Sequence, residues 1–491
     1  MTDGSDRFAA PRDRFAAPRD RFAAVNLISD PIHRYIELTK RLSSAQARAV
    51  GLPAEEAAEE DLLDTAWVQR LRRISQLQTS RWVFPTAEHS RFTHGLGVMH
   101  EAGLWARRLY PSLREDTARS APAEPLPSEG LVVETLRVAG LLHDVGHGPF
   151  AHYFDEHVLV AFPSPHDPRR PAGKRLSHED LSQLIIEREL GGLIGGLRRA
   201  PGEDATRDGF APGESIDPRW ISFLVSKPRL VDPDMPHWVR RVQPLLSGVF
   251  TVDNLDYVRR DAYMTGVSAG PVDVERLRRY AFIGPRGLTL YEPGLGALEM
   301  FLTARLFMYQ QVYFHRAVRA IDLDLREVFG PSVRALVGEG SPADALPAYA
   351  DLDEYALLHQ AALWSRGEML SAEPQPGGGT VTPEVGALWR NVLLRRPTWR
   401  AEAEVRAEYE PDAFPAALVA TLGEPVPGEV EIDLAIVDAR PADATETDAL
   451  LSVEGRDGLP AGPVSRVLAR LPAYALIGRR YRRRAEQDRD G

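Results

Sequence analysis

The sequence predicts a mainly α-helical protein with a smaller α+β region towards its C-terminal end. Apolar residues recur three and four positions apart, the period of an amphipathic helix, in segments at about 62–77, 130–145 and 252–263. Another long helix is expected from about Ala297 to Asp322. After about residue 330 Gly and Pro breaks become frequent, and the alternating run EVEIDLAIV predicts a strand of a small sheet.

Three domains follow from these changes of pattern. Residues 1–24 repeat the string DRFAAPR with a period of seven, with one large apolar side chain per repeat and Pro in two of the three copies. Such repeats cannot bury a coiled-coil seam, so we expect a flexible tail. Residues 25–330 form the expected main domain, and residues 331–491 form the α+β region, in which we expect oligomer contacts.

Shorter features complete this division. The string NLISDPIHRYIEL is typical of an extended entry, residues 41–60 of a helical insertion, and the stretches 161–173 and 200–218 of loops. Arg479–Arg484 contains five arginines in six residues. We expect the solvated end of a helix there, and a phosphate or nucleic-acid contact is the alternative.

The composition excludes several kinds of site. The 491 residues carry a formal net charge of −11, which argues against a nucleic-acid-binding surface along the whole chain. There are no cysteines, so thiolate zinc sites and a cysteine nucleophile are excluded, and any metal must be held by His, Asp or Glu. No apolar run reaches the roughly 18 to 20 residues that span a bilayer, and the N-terminal residues lack an apolar signal core. We therefore expect a cytoplasmic protein without a membrane partner.

The segment LLHDVGHGPFAHYFDEH concentrates groups that bind metals and carry protons. Between His143 and His157 it holds four histidines and two aspartates, in a chain with only 13 histidines. The adjacent pair His143 and Asp144 on an apolar helix is unusual, because burying a carboxylate is costly unless a cation meets it. A divalent metal meets both the carboxylate and the imidazole nitrogen. The Gly and Pro residues that follow predict that the helix ends and the chain turns back over the site.

Two other segments supply matching groups. HSRFTHGLGVMHEA provides Arg91 and His94, with His94 at the start of an apolar helix. TVDNLDYVRRDAYMTGV provides Asp253, Tyr257 and Asp261 at positions i, i+4 and i+8, which share one helical face. A solvated acidic face is the alternative interpretation of that spacing.

These segments resemble one branch of a known family. The ordered set His94, His143–Asp144 and Asp253 is similar to that of the HD superfamily of metal phosphohydrolases. The surrounding strings resemble the sterile-alpha-motif-and-HD-domain deoxynucleoside triphosphate triphosphohydrolases and their bacterial relatives. In the family's order, between residues 26 and 322, they read DPIHRYIEL, DTAWVQRLRRISQL, WVFPTAEHSRFTHGLGV, AGLLHDVGHGPFAHYFD, SHED and VDNLDYVRRDAYMTGV. Only the repeat tail precedes Val25, so no sterile-alpha-motif domain is expected.

The resemblance implies a helical HD phosphohydrolase core over residues 25–330, which cleaves a deoxynucleoside triphosphate to the deoxynucleoside and inorganic triphosphate. It also implies one divalent transition metal, such as Fe, Mn, Co, Ni or Zn, with Mg accompanying the triphosphate. The implied metal ligands are His94, His143, Asp144 and Asp253. Two histidines and two aspartates leave coordination positions open for a phosphate oxygen and a water.

The resemblance further assigns a proton donor. By position His152 resembles the family's general acid, which protonates the leaving 5′-oxygen. Asp155 and His178 would fix the tautomer and orientation of that acid. His147 resembles the residue that hydrogen-bonds the α-phosphate.

The substrate contacts are also assigned by resemblance. Arg91 and Arg305 match phosphate-binding positions, and the arginine fork suits phosphate oxygens. Tyr257 would pack under C2′ and disfavour a 2′-hydroxyl, while Asp261 would accept from the 3′-hydroxyl. At Asn254 the family commonly has a phosphate-binding lysine, so we expect weaker substrate binding or heavier reliance on Mg. The other positions that match the substrate pocket are Gln76, Leu77, Tyr309 and Tyr313.

A candidate effector site and two other functions stay open. Asp64, Gln69 and Arg72 resemble family residues that bind a guanine-nucleotide effector, although ordinary surface charge explains them equally well. Because Asn26 replaces a family lysine, we expect any nucleotide activation to be partial, in a homodimer or homotetramer. The alternative functions are another HD-domain nucleotide phosphohydrolase or phosphodiesterase, and a nucleic-acid-binding regulator, which only the cluster Arg479–Arg484 favours.

Overall fold

The computed structural model describes residues 24–50, 57–165, 173–202, 204–226, 234–439, 450–453, 456–460 and 471–485. Apart from Ala24, the repeat tail lies outside these ranges, so its predicted flexibility stays a prediction. None of the helices within these ranges combines the length and the apolar character needed to cross a membrane.

The described chain opens on an antiparallel hairpin, which the sequence predicted as an extended entry. Strands β1 (Val25–Asp30) and β2 (Arg34–Thr39) pair from Val25 opposite Thr39 to Asp30 opposite Arg34. The turn is closed by Asp30, whose Oδ1 accepts hydrogen bonds from the backbone N–H groups of Ile32 at 2.8 Å and His33 at 2.9 Å.

Helices make up most of the following 300 residues. They are α1 (Ser44–Val50), α2 (Glu59–Leu63), α3 (Ala66–Arg70), α4 (Arg91–Ser120), α5 (Glu129–Leu142), α6 (His152–His157), α7 (His178–Arg188), α8 (Gly191–Gly196), α9 (Ala205–Asp208), α10 (Pro218–Val225), α11 (His237–Val242), α12 (Pro244–Ser247), α13 (Val252–Thr265), α14 (Val274–Tyr280), α15 (Leu295–Met308) and α16 (Arg316–Val337). Short 3₁₀ turns lie at Leu71–Arg73, Gln78–Trp82, Leu159–Ala161 and Glu292–Gly294.

The helices predicted at 130–145 and 252–263 are confirmed as α5 and α13. The prediction of one continuous helix at 62–77 is wrong. That segment forms α2, α3 and a 3₁₀ turn instead. The break falls at two residues: Asp64 caps the end of α2, and the Thr65 hydroxyl accepts from the Val68 N–H to begin α3. The apolar period continues across this break, so periodicity alone could not locate it.

The long helix predicted from Ala297 to Asp322 is also interrupted. After α15 the chain makes a π-helical turn, Tyr309–Tyr313, and α16 begins only after His315, whose side chain accepts from the Ala317 N–H. Such π turns concentrate at functional sites because they re-aim side chains. Helix α16 continues to Val337, so a domain boundary at residue 330 would cut a helix.

The C-terminal part contains both helices and sheets, which confirms the predicted α+β character. Its helices are α17 (Leu346–Ala350), α18 (Glu354–Ser365), α19 (Pro383–Leu393) and α20 (Ala416–Ala420). Three antiparallel strands form a sheet in the order β5-β9-β6. They are β5 (Trp399–Tyr409), β6 (Val430–Asp438), which is the predicted EVEIDLAIV strand, and β9 (Tyr474–Arg483).

The arginine cluster lies in β9 and is not the end of a helix, as the sequence had suggested. β9 is the central strand, hydrogen-bonded to β5 on one side and β6 on the other. Its first residues are the apolar run Ala475–Ile477, which is buried, and Arg479 is only 2% exposed. The arginines concealed the strand pattern of this segment, because a charge-rich string is typical of a solvated surface. In the sheet, Arg479 instead pairs with an acid of the neighbouring strand, Glu404, at 2.7 Å.

A second sheet joins the two parts of the chain. Strands β3 (Ala281–Gly284) and β4 (Gly287–Tyr291) belong to the main part, and β4 pairs in parallel with β7 (Leu450–Val453), which pairs with β8 (Arg456–Pro460). One apolar core also includes both parts: Trp105 of α4 belongs to the same buried cluster as Trp364 and Trp389. The two predicted domains therefore share a core.

The packing of α4 against α5 sets the position of the histidines that these helices carry, and it depends on one glycine. A Cβ on Gly140 would lie 2.9 Å from the carbonyl oxygen of Val98 and 3.0 Å from the amide of Met99. We predict that Gly140→Ala lowers the free energy of unfolding by about 1–3 kcal/mol, because backbone atoms must move apart.

Urea unfolding followed by circular dichroism measures this change. The matched control is Gly296→Ala in α15, where an added Cβ meets nothing within 4 Å. The control should keep or slightly raise the midpoint. Equal midpoints for both variants would show that the two helices do not depend on this close approach.

Candidate active site and metal centre

A cavity of about 360 Å³ lies beside α13 and the π turn, and most of the predicted site residues line it. Its wall includes acidic, basic and aromatic side chains from separate elements, so the fold assembles it from distant parts of the sequence. The predicted residues that line it are Gln76, Leu77, Arg91, Asp144, His152, His178, Asp253, Tyr257, Asp261, Tyr309 and Tyr313.

The four predicted metal ligands lie together. Donor atoms of His94, His143 and Asp144 all lie within 4.8 Å of one another. The Oδ1 atom of Asp253 is 3.1 Å from Nε2 of His94 and 3.7 Å from Nε2 of His143. His94 lies in α4, Asp253 lies in α13, and His143 and Asp144 directly follow α5. The packing of these three helices therefore creates the group.

His143 is oriented as a metal ligand. It follows the last residue of α5, and its Nδ1 lies 2.8 Å from the carbonyl oxygen of Gly140. That contact assigns the ring proton to Nδ1 and leaves a lone pair on Nε2. The Nε2 atom is buried and has no hydrogen-bond partner. A buried acceptor without a partner is costly, and a cation at this position would remove that cost.

His94 lies between two carboxylates. Its Nδ1 is 2.9 Å from Oδ2 of Asp256, and its Nε2 faces Asp253. Burial alone would lower the pKa of His94, but the hydrogen bonds to Asp253 and Asp256 raise this pKa to about 10. The two carboxylates therefore stabilise a positive charge at the imidazole of His94. A metal ion on the Nε2 side would supply such a positive charge in place of the proton.

Asp256 belongs to the site although the sequence reasoning missed it. Besides His94, it contacts His33 of the hairpin turn, Oδ1 to Nε2 at 2.6 Å, and it accepts from Nε of Arg260 at 2.8 Å. Arg260 in turn donates to Asp30 at 2.7 Å. The signal was the spacing of Asp256 three residues after Asp253, but His33 lies 223 residues away in the sequence, so only the fold reveals the contact.

Arg91 pairs with one of the metal ligands. It is the first residue of α4, and its Nη1 donates to Oδ2 of Asp144. Burial acts to raise the pKa of Asp144, but His143, Arg91 and His147 hold that pKa well below its usual range. Asp144 is therefore a carboxylate. The Nε of Arg91 is buried without a hydrogen-bond partner, and the side chain as a whole lines the cavity.

His152, Asp155 and His178 form a second group on the cavity wall. His178 Nδ1 is hydrogen-bonded to Oδ2 of Asp155, and the same oxygen lies 3.7 Å from Nδ1 of His152. The side chain of His152 is 60% exposed, while that of His178 is buried. Burial lowers the pKa of His178, but Glu179 and Asp155 outweigh it and raise this pKa. The arrangement can hold a proton close to the cavity.

His147 lies behind this group and does not line the cavity, so a direct contact with an α-phosphate is not supported by its position. Its ring stacks on that of His178 with centroids 3.7 Å apart and planes inclined by 20°. Donor atoms of His147, His152, Asp155 and His178 lie within 4.8 Å of one another. A metal ion binds an imidazole in the plane of the ring, and one ion cannot lie in two stacked planes. Proton transfer therefore suits this group better than a second metal.

The loop that presents His152 is strained. Phe150 has φ 59° and Ala151 has φ 49°, which is the left-handed region that non-glycine residues rarely adopt. Each such residue costs on the order of 1 kcal/mol, and such strain concentrates at active sites. Helix α6 begins immediately after this pair, at His152 itself.

The opposite wall of the cavity carries Tyr257 and Asp261, one turn apart on α13. Both carboxylate oxygens of Asp261 are held: Oδ1 lies 2.8 Å from Nε2 of His89, and Oδ2 accepts from the Tyr313 hydroxyl at 2.6 Å. The rings of Tyr257 and Tyr313 lie 6.4 Å apart. The π turn thus aims its tyrosine at the same carboxylate that α13 presents.

Two predicted substrate residues do not line the cavity. Arg305 lies behind the tyrosines, where it donates to the Tyr257 hydroxyl at 3.3 Å and to the carbonyl of Asp438 at 2.7 Å. Asn254 closes a capping box with Thr251: its Oδ1 accepts from the Thr251 N–H at 2.7 Å. Asn254 therefore helps to cap the first turn of helix α13, and this role explains an Asn at the position.

The structure adds cavity residues that the sequence reasoning did not find. Arg319 and Asp322 of α16 and Thr79 line the cavity. Arg319 forms two hydrogen bonds with Asp433 of β6, at 3.0 Å and 2.5 Å, so the C-terminal sheet reaches the cavity. Burial raises the pKa of Asp322 to about 6. The i, i+3 spacing of Arg319 and Asp322 was a signal, but it lay next to the predicted domain boundary.

The candidate effector residues lie together but outside the cavity. Gln69 donates to the carbonyl of Leu63 at 2.8 Å, and Arg72 donates to Oε1 of Gln69 at 2.8 Å. Arg72 also lies over the ring of Phe92, at 3.6 Å from its centroid. Asp64 is exposed at the end of α2. These contacts engage Gln69 and Arg72 within the chain, and the effector role stays a prediction.

Comparison with known proteins identifies relatives. The family model described as HD domain matches residues 91–194. The uncharacterized protein YwfO of Bacillus subtilis (strain 168) is 30% identical over 358 residues, covering 70% of this chain and 67% of its own. The deoxynucleoside triphosphate triphosphohydrolase SAMHD1 homolog of Dictyostelium discoideum is 29% identical over 272 residues, covering 55% of this chain and 45% of its own.

The chain thus spans about half to two thirds of the length of these curated relatives. Among solved structures, a phosphohydrolase from Bacteroides thetaiotaomicron VPI-5482 aligns with a TM-score of 0.61 at 20% identity, over 94% of this chain and all of its own. At that identity the likeness establishes the fold.

We predict that His143→Ala and Asp144→Ala each remove the co-purifying divalent metal, because each deletes one of a small set of ligands. Elemental analysis of the purified variants measures this loss. His359→Ala is the matched control, since His359 is exposed on α18. Full metal occupancy in both site variants would contradict the assignment of the ligands.

Proposed function

This chain belongs to the HD-domain family, and on that premise we propose that it cleaves deoxynucleoside triphosphates to deoxynucleosides and inorganic triphosphate. One observation carries the proposal. A single cavity is lined by the predicted ligands Asp144 and Asp253, which lie against His94 and His143, by a histidine supported by a carboxylate, and by a tyrosine–aspartate pair. Phosphoryl chemistry and nucleoside recognition need these three groups side by side.

The metal ligands in this proposal are His94, His143, Asp144 and Asp253. Two imidazoles and two carboxylates suit Fe, Mn, Co, Ni or Zn, while Mg favours oxygen ligands and would accompany the triphosphate. A bound ion of this kind polarises a phosphate oxygen and lowers the pKa of a bound water. The unpartnered Nε2 of His143 and the two carboxylates around His94 support its presence.

The chain's own residues would bind the phosphates and supply the proton. Arg91 lines the cavity beside Asp144, and its guanidinium suits a phosphate oxygen. His152 would donate a proton to the leaving 5′-oxygen, since it is the exposed histidine of the second group. Asp155, fixed by its bond to His178, would hold His152 in the productive tautomer.

The tyrosine–aspartate wall would recognise the sugar. Asp261 is fixed by His89 and Tyr313 and would accept from the 3′-hydroxyl. Tyr257 lies one turn after Asp253 on α13, and its ring centroid is 6.5 Å from that of His94. A sugar against Tyr257 would therefore lie next to the metal ligands, as cleavage at the α-phosphorus requires. The Dictyostelium discoideum relative is named as a deoxynucleoside triphosphate triphosphohydrolase, which supports the same substrate class.

Product analysis tests the proposal. We expect the purified protein, supplied with Mn²⁺ or Mg²⁺ and a deoxynucleoside triphosphate, to release inorganic triphosphate and the deoxynucleoside. Phosphorus NMR separates triphosphate from pyrophosphate and orthophosphate. Release of pyrophosphate or orthophosphate instead would assign the cavity to another HD-domain phosphohydrolase reaction.

We also predict that Tyr257 sets the preference for deoxyribose. A ring against C2′ leaves a 2′-hydroxyl unpaired and buried, at a cost of about 1–3 kcal/mol. Tyr257→Ala should therefore narrow the ratio of kcat/KM between dGTP and GTP. Tyr263→Ala is the control, because Tyr263 lies on the same helix and is 64% exposed. Equal hydrolysis of dGTP and GTP by the unsubstituted protein would remove Tyr257 from this role.

A further inference from the structure

We propose that Glu354 is a positioning residue, which holds one cavity wall, the acid loop that presents His152, at a fixed distance from a second cavity wall, the segment Gln76–Ser80. Glu354 is the first residue of α18, so it lies far outside the segment that matches the family model. The proposal rests on the proposed function only for the roles of the two walls. The contacts that support it do not depend on the substrate.

One buried oxygen of Glu354 contacts both walls. The side chain is fully buried, and Oε1 accepts a hydrogen bond from the Phe150 N–H and another from the Ser75 N–H, each at 3.1 Å. Phe150 lies two residues before His152, and Ser75 directly precedes Gln76, which lines the cavity. A single carboxylate oxygen therefore joins the backbone of the acid loop to the start of the cavity-lining segment Gln76–Ser80.

The other oxygen forms an ion pair, without a hydrogen bond, with an arginine that directly follows the segment Gln76–Ser80. Oε2 of Glu354 lies 3.3 Å from Nη2 of Arg81, in the 3₁₀ turn Gln78–Trp82. Burial raises the pKa of Glu354, and Arg81 and the two backbone donors oppose that rise. A buried acid is costly when packing alone is required, and an apolar side chain would fill the space at lower cost. The two N–H groups and the arginine give a specific reason for a carboxylate here.

The strained backbone is the place where such support is needed. Phe150 and Ala151 both have positive φ, and without external hydrogen bonds the loop would relax towards ordinary conformations. The segment before Glu354 holds the same loop: the Tyr349 hydroxyl donates to the carbonyl of Gly146 at 2.7 Å. Arg70 donates both to the carbonyl of His147 at 2.7 Å and to that of Leu352. The segment from Tyr349 to Glu354 thus contacts the loop directly at Gly146 and Phe150 and, through Arg70, at His147.

Glu354 and the predicted metal ligands therefore have separate roles in the site. Glu354 contacts none of the four predicted metal ligands, so its loss should leave metal binding intact. Loss of the Glu354 side chain should allow the acid loop to move relative to the segment Gln76–Ser80. Misplacement of a catalytic group by about 1 Å can cost about 100-fold in rate. The effect should therefore fall on kcat more than on KM.

The experiment compares Glu354→Ala with Glu354→Gln in the full chain. Glu384→Ala is the matched control, since Glu384 also lies in the first turn of a helix but is exposed. We expect Glu354→Ala to lower kcat for dGTP about 10- to 100-fold with its metal content retained. Glu354→Gln, which keeps an acceptor oxygen, should recover most of that loss, and the control should match the unsubstituted protein.

Hydrogen–deuterium exchange without substrate gives a second readout. In Glu354→Ala the amides of Phe150 and Ser75 should exchange faster, while peptides of α4 and α5 stay unchanged. If the alanine variant does not fold, Glu354→Asp replaces it, because its shorter side chain withdraws the acceptor oxygen from both amides. Faster exchange at both amides in that variant would support the proposal. Unchanged exchange at both amides, or faster exchange with an unchanged kcat, would overturn it. Failure of the proposed function would instead appear as no dGTP hydrolysis by the unsubstituted protein, and the exchange result would still decide whether Glu354 holds the two walls.

Discussion

Two carboxylates, the buried Asp144 and the partly buried Asp253, impose the constraint on which the rest of the site depends. A carboxylate inside a helical core is stable only when positive charge or hydrogen-bond donors surround it. The chain meets this need with Arg91 beside Asp144 and with His94 beside Asp253. Asp256, Arg260 and Asp30 then extend the alternation of charge to the N-terminal hairpin. The hairpin, three helices and the cavity are held in one arrangement by this need for charge balance.

The sequence allowed the mainly helical fold and most of the candidate site to be predicted. Helices α5 and α13 have regular apolar periods, and the metal ligands lie in short strings whose spacing survives without the fold. The failures have a common origin in capping and backbone geometry. Thr65 begins a new helix inside a continuous apolar period, and the π turn at Tyr309–Tyr313 interrupts another. A pattern of side chains cannot report such breaks when both flanking segments keep the same period.

The residues that sequence reasoning missed share a different property. Asp256, Arg319 and Glu354 act through partners that are 223, 114 and 204 or more residues away in the chain. Each is an ordinary charged residue in its own segment, and only the fold brings its partner near. The same holds for Arg479 in β9, whose buried side chain pairs with Glu404 and contradicts the solvated end expected from an arginine-rich string.

The strand order β5-β9-β6 has a consequence for the way this protein matures. β9 follows both of its neighbours in the chain, so neither ladder of the sheet can form until β9 has left the ribosome. Asp433 of β6 holds Arg319 at the cavity, and Arg479 of β9 donates to the carbonyl of Phe314 just after the π turn. The predicted metal ligands therefore all leave the ribosome before the sheet that completes the cavity can form. Assembly of the predicted metal centre and completion of the cavity are separate events in the synthesis of this chain.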